Sequence, residues 1–156
     1  MGHIDEETTF NIGVISGGLA GNIVPDRCSV RGEARSYTHG KALKHAQLAR
    51  EAFECAAARV GAAVEYTQRC AGQAFETPRD HPVVKRFEQA CRSEGITPTL
   101  QRTFGGSDQN WFAHRGITGL VIASAMNRCH SCEEYTTVDG LLRAVAITTA
   151  LMTSPV

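Results

Sequence analysis

The chain has 156 residues, of which 42% are hydrophobic and 21% are charged, a balance typical of a globular protein with one domain or two small lobes. Lys plus Arg and Asp plus Glu both total 16, so the formal net charge is zero, and without a basic stripe no nucleic-acid surface is expected. No apolar run approaches the roughly 18 residues of a membrane span, and the N-terminus MGHIDEETTF lacks an apolar signal segment, so we expect a cytoplasmic protein without a membrane partner.

The first half of the chain predicts strand, strand, helix and strand. Residues 9–18 alternate apolar and polar side chains, and residues 22–36 begin as a turn and continue as a strand, so the two segments predict a hairpin. After Thr38, a candidate N-cap, apolar residues recur at three- and four-residue steps and predict a long amphipathic helix. Cys55 falls in that apolar pattern and is expected to be buried. Residues 62–70 predict a further strand.

A polar connector, residues 71–80, predicts a boundary between lobes 1–73 and 74–156. Asp80 at its end is a candidate N-cap for a helix with a proline in its first turn. The expected buried face of that helix comprises Val83, Val84, Phe87 and Cys91.

The rest of the chain predicts strand, short helix, strand and helix. Residues 97–104 are a strand candidate, WFAHRG predicts a short helix, and the apolar run 119–125 predicts a strand buried on both faces. A last helix begins near Thr137. Its expected inner face comprises Val138, Leu141, Leu142, Val145, Thr149 and Met152. The alternation predicts an α/β fold class, with an α+β first lobe and an α/β second lobe.

The stretch CHSCEEY, residues 129–135, carries the densest chemistry. Cys129 and Cys132 would form a redox pair if they opened a helix, and a structural zinc site would need about four ligands, whereas a second C-x-x-C is absent. His130 follows the predicted buried strand, at the sheet edge where α/β proteins bind ligands, and Glu134 is a candidate partner to orient it. The alternative is a surface histidine in a polar loop.

The stretch TFGGSDQN predicts a strand-to-helix turn with a second candidate site. Gly105 and Gly106 would let a ligand approach the backbone closely, and their N–H groups together with Ser107 could hold an anion or oxyanion. The alternative is an ordinary turn in which Asp108 caps the helix that follows.

Asn22 and Arg35, thirteen residues apart, form a third candidate site. An arginine grips a carboxylate in a two-pronged contact, and an asparagine can add a further donor. Taken singly, Asn22 is typical of a turn and Arg35 of a surface charge.

Taken together, NIGVISGG-LAG-NIVPD-RCSVRGEARS, FGGSDQNWF and HSCEEY resemble, in order and spacing, the second half of the peptidase T-like zinc exopeptidases. These belong to the broad family of dinuclear aminoacylases, carboxypeptidases and desuccinylases. The resemblance implies part of a smaller lid domain, which often dimerises, followed by the end of a catalytic domain. It implies two zinc ions with His130 as one metal ligand, Asn22 and Arg35 as carboxylate-binding residues, and Gly105, Gly106 and Ser107 as a substrate-facing loop.

The family's other metal ligands and its glutamate base have no counterpart here, since no H-x-D occurs and Glu133 and Glu134 follow His130 instead of preceding it. We therefore expect an incomplete two-domain zinc-peptidase architecture without a catalytic base, part of a tripeptidase-like enzyme and inactive on peptides as an isolated chain. The resemblance also implies a small peptide substrate and a homodimer. The alternative is a non-catalytic dimerisation or binding module derived from the same family.

Overall fold

The structure, a computed structural model, describes residues 2–154. They fold into a mixed α/β arrangement of two compact units, which divide between Ala74 and Phe75. The predicted α/β class is confirmed. Within residues 2–154 no helix is long and apolar enough to cross a bilayer. The elements are β1 (Gly2–Asp5), β2 (Thr8–Gly17), β3 (Cys28–Ser36), α1 (His39–Ala58), α2 (Pro82–Ser93), α3 (Gln109–His114) and α4 (Val138–Thr153).

The first unit is built on a three-stranded antiparallel sheet of order β1-β2-β3, so the predicted hairpin is confirmed as β2 and β3. Gly32 on β3 lies opposite Ile12, where a register shift between Ile12 and Val14 bends the ladder. A Cβ atom on Gly32 would lie 2.5 Å from the Asn11 carbonyl oxygen and 2.7 Å from Ile12 Cδ1. The backbones therefore approach so closely at this point that only glycine fits.

Helix α1 packs on β2 and β3, and a charged contact fixes its first turn. Lys41 Nζ donates to Glu7 at 2.7 Å and to Asp5 at 3.4 Å, both in the β1–β2 turn region. The hydrogen bond to Glu7 raises the pKa of Lys41. The backbone N–H of Glu7 donates to the Asp5 carboxylate and lowers the pKa of Asp5. Thr38 occupies the N-cap position, as predicted, although its side chain makes no capping bond.

Two expectations for the first unit are wrong. Cys55 is exposed, because α1 packs on the sheet through another face. Residues 62–70 are not a hydrogen-bonded strand, since they find no strand partner among residues 2–154. Side-chain contacts tie this segment to α1 instead: Tyr66 donates its hydroxyl to the Ala46 carbonyl at 3.0 Å, and the Arg50 guanidinium lies 5.9 Å from the Tyr66 ring centroid.

The second unit is centred on the contact between α2 and α4. Two of the four α2 residues predicted to be buried, Val84 and Cys91, are each 1% exposed, and the other two are half-buried. Burial raises the pKa of the Cys91 thiol. Arg86 Nη2 donates to the carbonyls of Leu151 at 2.8 Å and Ser154 at 3.1 Å. These carbonyls are at the end of α4, where backbone acceptors lack helical partners, so Arg86 both satisfies them and complements the helix dipole.

The N-cap of α2 differs from the prediction by one residue. The N-cap is His81, not Asp80: the backbone of His81 is extended, and its Nδ1 accepts from the Val83 N–H at 3.2 Å. The first turn is thus capped by an imidazole in place of the expected carboxylate. At the start of α4 the prediction holds, since Thr137 is the N-cap and its Oγ1 accepts from the Gly140 N–H at 3.0 Å.

The predicted strands 97–104 and 119–125 form no ladder among residues 2–154. The expected inner face of α4 is also wrong: its large apolar residues are exposed, with Val138 at 76% and Met152 at 80%. The less exposed residues lie on the other side of the helix, among them the buried Ala150 and the half-buried Ala144, Ile147 and Leu151. Periodicity identified an apolar face of α4, but the residues that pack lie on the opposite face of the helix.

We expect Gly32→Ala to destabilise the first unit by about 1–3 kcal/mol, because the added methyl group has no space against backbone atoms. Gly40→Ala is the matched control, since Gly40 lies in α1 with no atom near its missing Cβ. It should stabilise by about 0.5–1 kcal/mol through helix propensity. Urea unfolding followed by circular dichroism measures both changes. If the urea concentration at the unfolding midpoint of Gly32→Ala equals or exceeds that of the unsubstituted chain, the close approach at Gly32 does not exclude a side chain.

Candidate functional site

His130 is exposed and lies in residues 127–135, which we call the His130 loop. The backbone of Asn127 and Tyr135 pairs at the base of this loop in both directions, with N–H to carbonyl distances of 2.9 and 3.1 Å. The Asn127 side chain also donates to the Ala125 carbonyl at 3.1 Å. The loop is therefore closed by backbone hydrogen bonds immediately before α4.

Two successive β-turns within the loop share Ser131. Its N–H donates to the Arg128 carbonyl at 3.2 Å, and its carbonyl accepts from the Glu134 N–H at 3.1 Å. The Ser131 hydroxyl donates to the Arg128 carbonyl at 2.8 Å and accepts from the Glu133 N–H at 3.2 Å. Glu133 forms an ion pair with Arg128, and Glu134 Oε2 accepts from the backbone N–H of His130 at 2.7 Å. The second turn thus holds the first through both carboxylates.

Three non-glycine residues in and beside the loop have left-handed backbone conformations: Ala125 at φ 62°, Arg128 at φ 52° and His130 at φ 64°. Such conformations cost of order 1–3 kcal/mol each and persist where surrounding contacts impose them. Here the Asn127–Tyr135 pairing and the Glu134 carboxylate supply those contacts. The left-handed backbone of His130 is therefore imposed by the fold of the loop, and strain of this kind is often found at functional sites.

The expected role of Glu134 needs correction. Its carboxylate accepts from the backbone N–H of His130, so Glu134 orders the loop backbone and not the imidazole. The interpretation of Cys129 and Cys132 as a helix-opening redox motif is also wrong, because both are exposed in the turns and α4 begins only at Val138. A helix N-terminus is thus not available to activate either thiol.

The residues present do not fit a complete zinc site. Across residues 2–154, no three His, Cys, Asp or Glu side chains are grouped as metal ligands would be. His130 supplies one imidazole. The nearby carboxylates are already engaged, Glu133 with Arg128 and Glu134 with the backbone N–H of His130. A stable zinc site needs three or four protein ligands, so His130 would be at most one ligand of such a site.

Two backbone donors of the Gly105–Gly106–Ser107 turn bond to nearby side chains. The Gly105 N–H donates to Thr103 Oγ1 at 3.1 Å, and the Ser107 N–H donates to Asn110 Oδ1 at 2.9 Å. Two N–H groups expected to hold an anion are therefore already engaged. Ser107 Oγ is buried and has no hydrogen-bond partner within residues 2–154. Buried polar atoms are normally hydrogen-bonded, so this hydroxyl is an exception within the turn.

The same turn leads into α3, and Asp108 stands at the N-cap position without a side-chain capping bond. The alternative of an ordinary turn is therefore right that Asp108 is at the N-cap position, but its carboxylate does not cap the helix.

Asn22 and Arg35 lie toward opposite ends of the β2–β3 hairpin. Asn22 is in the exposed loop that joins the strands, whereas Arg35 pairs with Thr9 near the far end of the ladder. At ~3.3 Å per residue, the seven steps from Cys28 to Arg35 span ~23 Å. One copy of the hairpin does not bring the two side chains together. Arg35 instead makes a two-pronged contact with Glu33, Nε to Oε1 at 2.8 Å and Nη2 to Oε2 at 2.9 Å.

Sequence reasoning missed the residues that shape the His130 loop, above all Arg128 and Ser131. The short spacing of Arg128 and Glu133 was a usable signal for a turn closed by an ion pair. Serine is a frequent turn residue because its hydroxyl bonds to nearby backbone groups. Nothing local indicated the left-handed conformation of His130, because it depends on pairing between residues outside the two turns.

The sequence profile of peptidase family M20/M25/M40 matches residues 2–154. The chain belongs to this family. It is 33% identical over 152 residues to the uncharacterized protein YqjE of Bacillus subtilis, covering 97% of this chain and 41% of YqjE. Its similarity to a peptidase T-like protein, inferred from three motifs, is confirmed by solved structures.

Those structures are aminopeptidase PepT from Bacillus cereus, at 32% identity and a TM-score of 0.78, and a tripeptidase from Staphylococcus aureus, at 26% identity and a TM-score of 0.85. Each match covers 97% of this chain and 40% of the other chain, so this chain spans about two fifths of the length of these two proteins. The M20 family is generally metal-dependent.

We expect this M20 chain not to retain a dinuclear zinc site. Incubation with zinc followed by dialysis and elemental analysis should leave well under two ions per chain, because one imidazole does not meet the three- or four-ligand requirement. His130→Ala should lower any weak binding that remains, whereas His114→Ala, at an exposed position on α3, should not. Two ions retained per chain would mean that the ligand set has been misidentified.

Proposed function

We propose that this chain carries the substrate-holding part and one metal ligand of a metal-dependent exopeptidase that acts on small peptides. The observation that carries this proposal is the match of the M20 profile to residues 2–154, supported by similarity to a tripeptidase. In this proposal, residues 1–73 are part of the lid domain and residues 74–156 are the end of the catalytic domain. The metal is zinc, as the sequence resemblance implies, and the location is cytoplasmic.

His130 is the proposed metal ligand of this chain. Its exposure leaves the side chain accessible, and the Glu134 contact together with the Arg128–Glu133 ion pair supports a fixed backbone. Fixed geometry matters because a ligand must be held close to its productive position. The metal would need further ligands, and hydrolysis a general base, that none of the motifs in this chain provides. The isolated chain is accordingly proposed to be inactive.

Arg35 is the proposed anchor for the carboxylate of the peptide, with Asn22 as an additional donor. Support comes from the Glu33 contact, in which the guanidinium already holds a carboxylate through two parallel bonds. A peptide carboxylate would take the same geometry after displacing Glu33. Both side chains are about half exposed, with 44% for Arg35 and 55% for Glu33, so this exchange occurs in water and at modest cost.

The Gly105–Gly106–Ser107 turn is the proposed substrate-facing loop. Gly105 and Gly106 are exposed, and nothing within 4 Å would meet a Cβ on Gly106, so a ligand can approach the backbone there. Ser107 completes the proposed loop; its hydroxyl has no partner within residues 2–154 but is buried, so a ligand would reach it only if the turn opened.

A homodimer is the proposed assembly. The nine-residue strand β3 is at the edge of the sheet, and edge strands present backbone groups that pair with another chain. The exposed apolar side of α4 adds surface of the kind that associates. A non-catalytic dimerisation module is the second candidate, favoured by the missing ligand cluster among residues 2–154.

The purified chain should not hydrolyse tripeptides in the presence of added zinc, manganese or cobalt, because it lacks a matched base and enough metal ligands. The assay compares the unsubstituted chain with His130→Ala and His114→Ala at equal concentration, and all three should give the background rate. Metal-dependent turnover that His130→Ala abolishes and His114→Ala preserves would show that this chain is itself an active enzyme, contrary to the proposed inactivity.

The chain should also self-associate at micromolar concentration, through the β3 edge or exposed apolar side chains. Light scattering across a tenfold dilution series is expected to give a mass of at least twice 16.8 kDa at the upper concentrations. A monomer mass throughout the series would contradict the proposed homodimer and leave the peptidase relationship untouched.

A further inference from the structure

The two cysteines that flank His130 have no place in the proposed peptidase chemistry. Cys129 and Cys132 are both exposed, and they are the closest pair of cysteines along the sequence. The remaining four are separated from them by position and environment: Cys28 on β3, Cys55 on α1, Cys70 in the following segment, and Cys91, buried in α2.

The fold of the His130 loop keeps this pair compact. Three residues in extended conformation would span ~10 Å, whereas a disulfide needs Cα atoms roughly 4.4–6.8 Å apart. Cys129 is a central residue of the first turn and Cys132 of the second. The Arg128–Glu133 ion pair and the Glu134 bond to the His130 N–H link the two turns across this pair. The intervening chain is therefore folded back instead of extended.

We propose that Cys129 and Cys132 are a reversible modification site, which forms a disulfide across His130 by exchange with a small-molecule disulfide. The thiolate of one cysteine attacks a sulfur of that molecule, forms a mixed disulfide and releases one small thiol. The second cysteine, after losing its proton to solvent, attacks the protein sulfur of the mixed disulfide and releases the second thiol. The protein loses two electrons and two protons, and the small disulfide gains them.

This site differs from a catalytic dithiol. Oxidoreductase C-x-x-C pairs open a helix whose N-terminus stabilises the thiolate, whereas α4 begins six residues after Cys132. The pair consequently reacts as ordinary exposed thiols, and proximity alone favours the internal disulfide over two separate adducts. Closure ties together the residues on both sides of His130, so the environment of the imidazole changes with the redox state.

The test uses the whole chain and oxidised glutathione, followed by blocking of free thiols, trypsin digestion and mass spectrometry. Arg128 and Arg143 bound one tryptic peptide, 129–143, that contains both cysteines. Each other cysteine falls in its own peptide: 28–31, 51–59, 70–79 and 87–92. We expect peptide 129–143 to lose the mass of two hydrogens and to regain it with dithiothreitol, while Cys28 and Cys55 take only glutathione adducts.

Cys129→Ser and Cys132→Ser provide the matched controls. Each should leave one cysteine that retains a glutathione adduct, because the second attack is no longer available. If the unsubstituted peptide instead accumulates two glutathione adducts, or none with a free pair, the internal disulfide is excluded. The imidazole signals of His130 in a ¹H–¹³C NMR spectrum should shift on oxidation and return on reduction. Signals that stay fixed while the disulfide forms would overturn its effect on His130.

Discussion

Extended backbone needs a neighbouring strand to satisfy its hydrogen bonds. Where the chain supplies such a neighbour it forms a sheet, and where it does not the strand-like segments remain irregular. Strands β1, β2 and β3 find one another in sequence order, and the close approach at Gly32 fixes the register of the central pair. Residues 62–70, 97–104 and 119–125 have strand-like sequences but form no ladder within residues 2–154. The first unit therefore rests on a sheet, and the second on the contact between α2 and α4.

The same requirement, on a smaller scale, shapes the His130 loop. Pairing between Asn127 and Tyr135 closes the loop, and carboxylates from its second turn satisfy groups in the first. Left-handed conformations at Arg128 and His130 are the consequence, since the closed loop leaves the chain few ways to reverse direction. One arrangement thus supports both inferences about this loop: an accessible, fixed imidazole and a folded-back pair of thiols.

The contact between Arg35 and Glu33 links the hairpin to the proposed function. Alternate residues of a strand lie on the same face, which lets Glu33 reach both prongs of the guanidinium. In the proposed function a peptide carboxylate would bind Arg35 with the same two-pronged geometry, and Glu33 would compete with it. Specificity at Arg35 would then depend on how well a peptide outcompetes a carboxylate attached to the same strand.

The sequence by itself determined the family, the mixed α/β class and the positions of the helices. Motif spacing and apolar periodicity are local properties, and short-range hydrogen bonds such as the Thr137 cap follow from them. Only the tertiary structure decided which apolar face of α4 is buried, that Cys55 is exposed, and that 62–70 is held by Tyr66 instead of by a ladder. The separation of Asn22 from Arg35 and the conformation of His130 also required it. The physical reason is the same in each case: burial, strand pairing and backbone strain depend on neighbours that are distant in the chain, and a local pattern does not specify them.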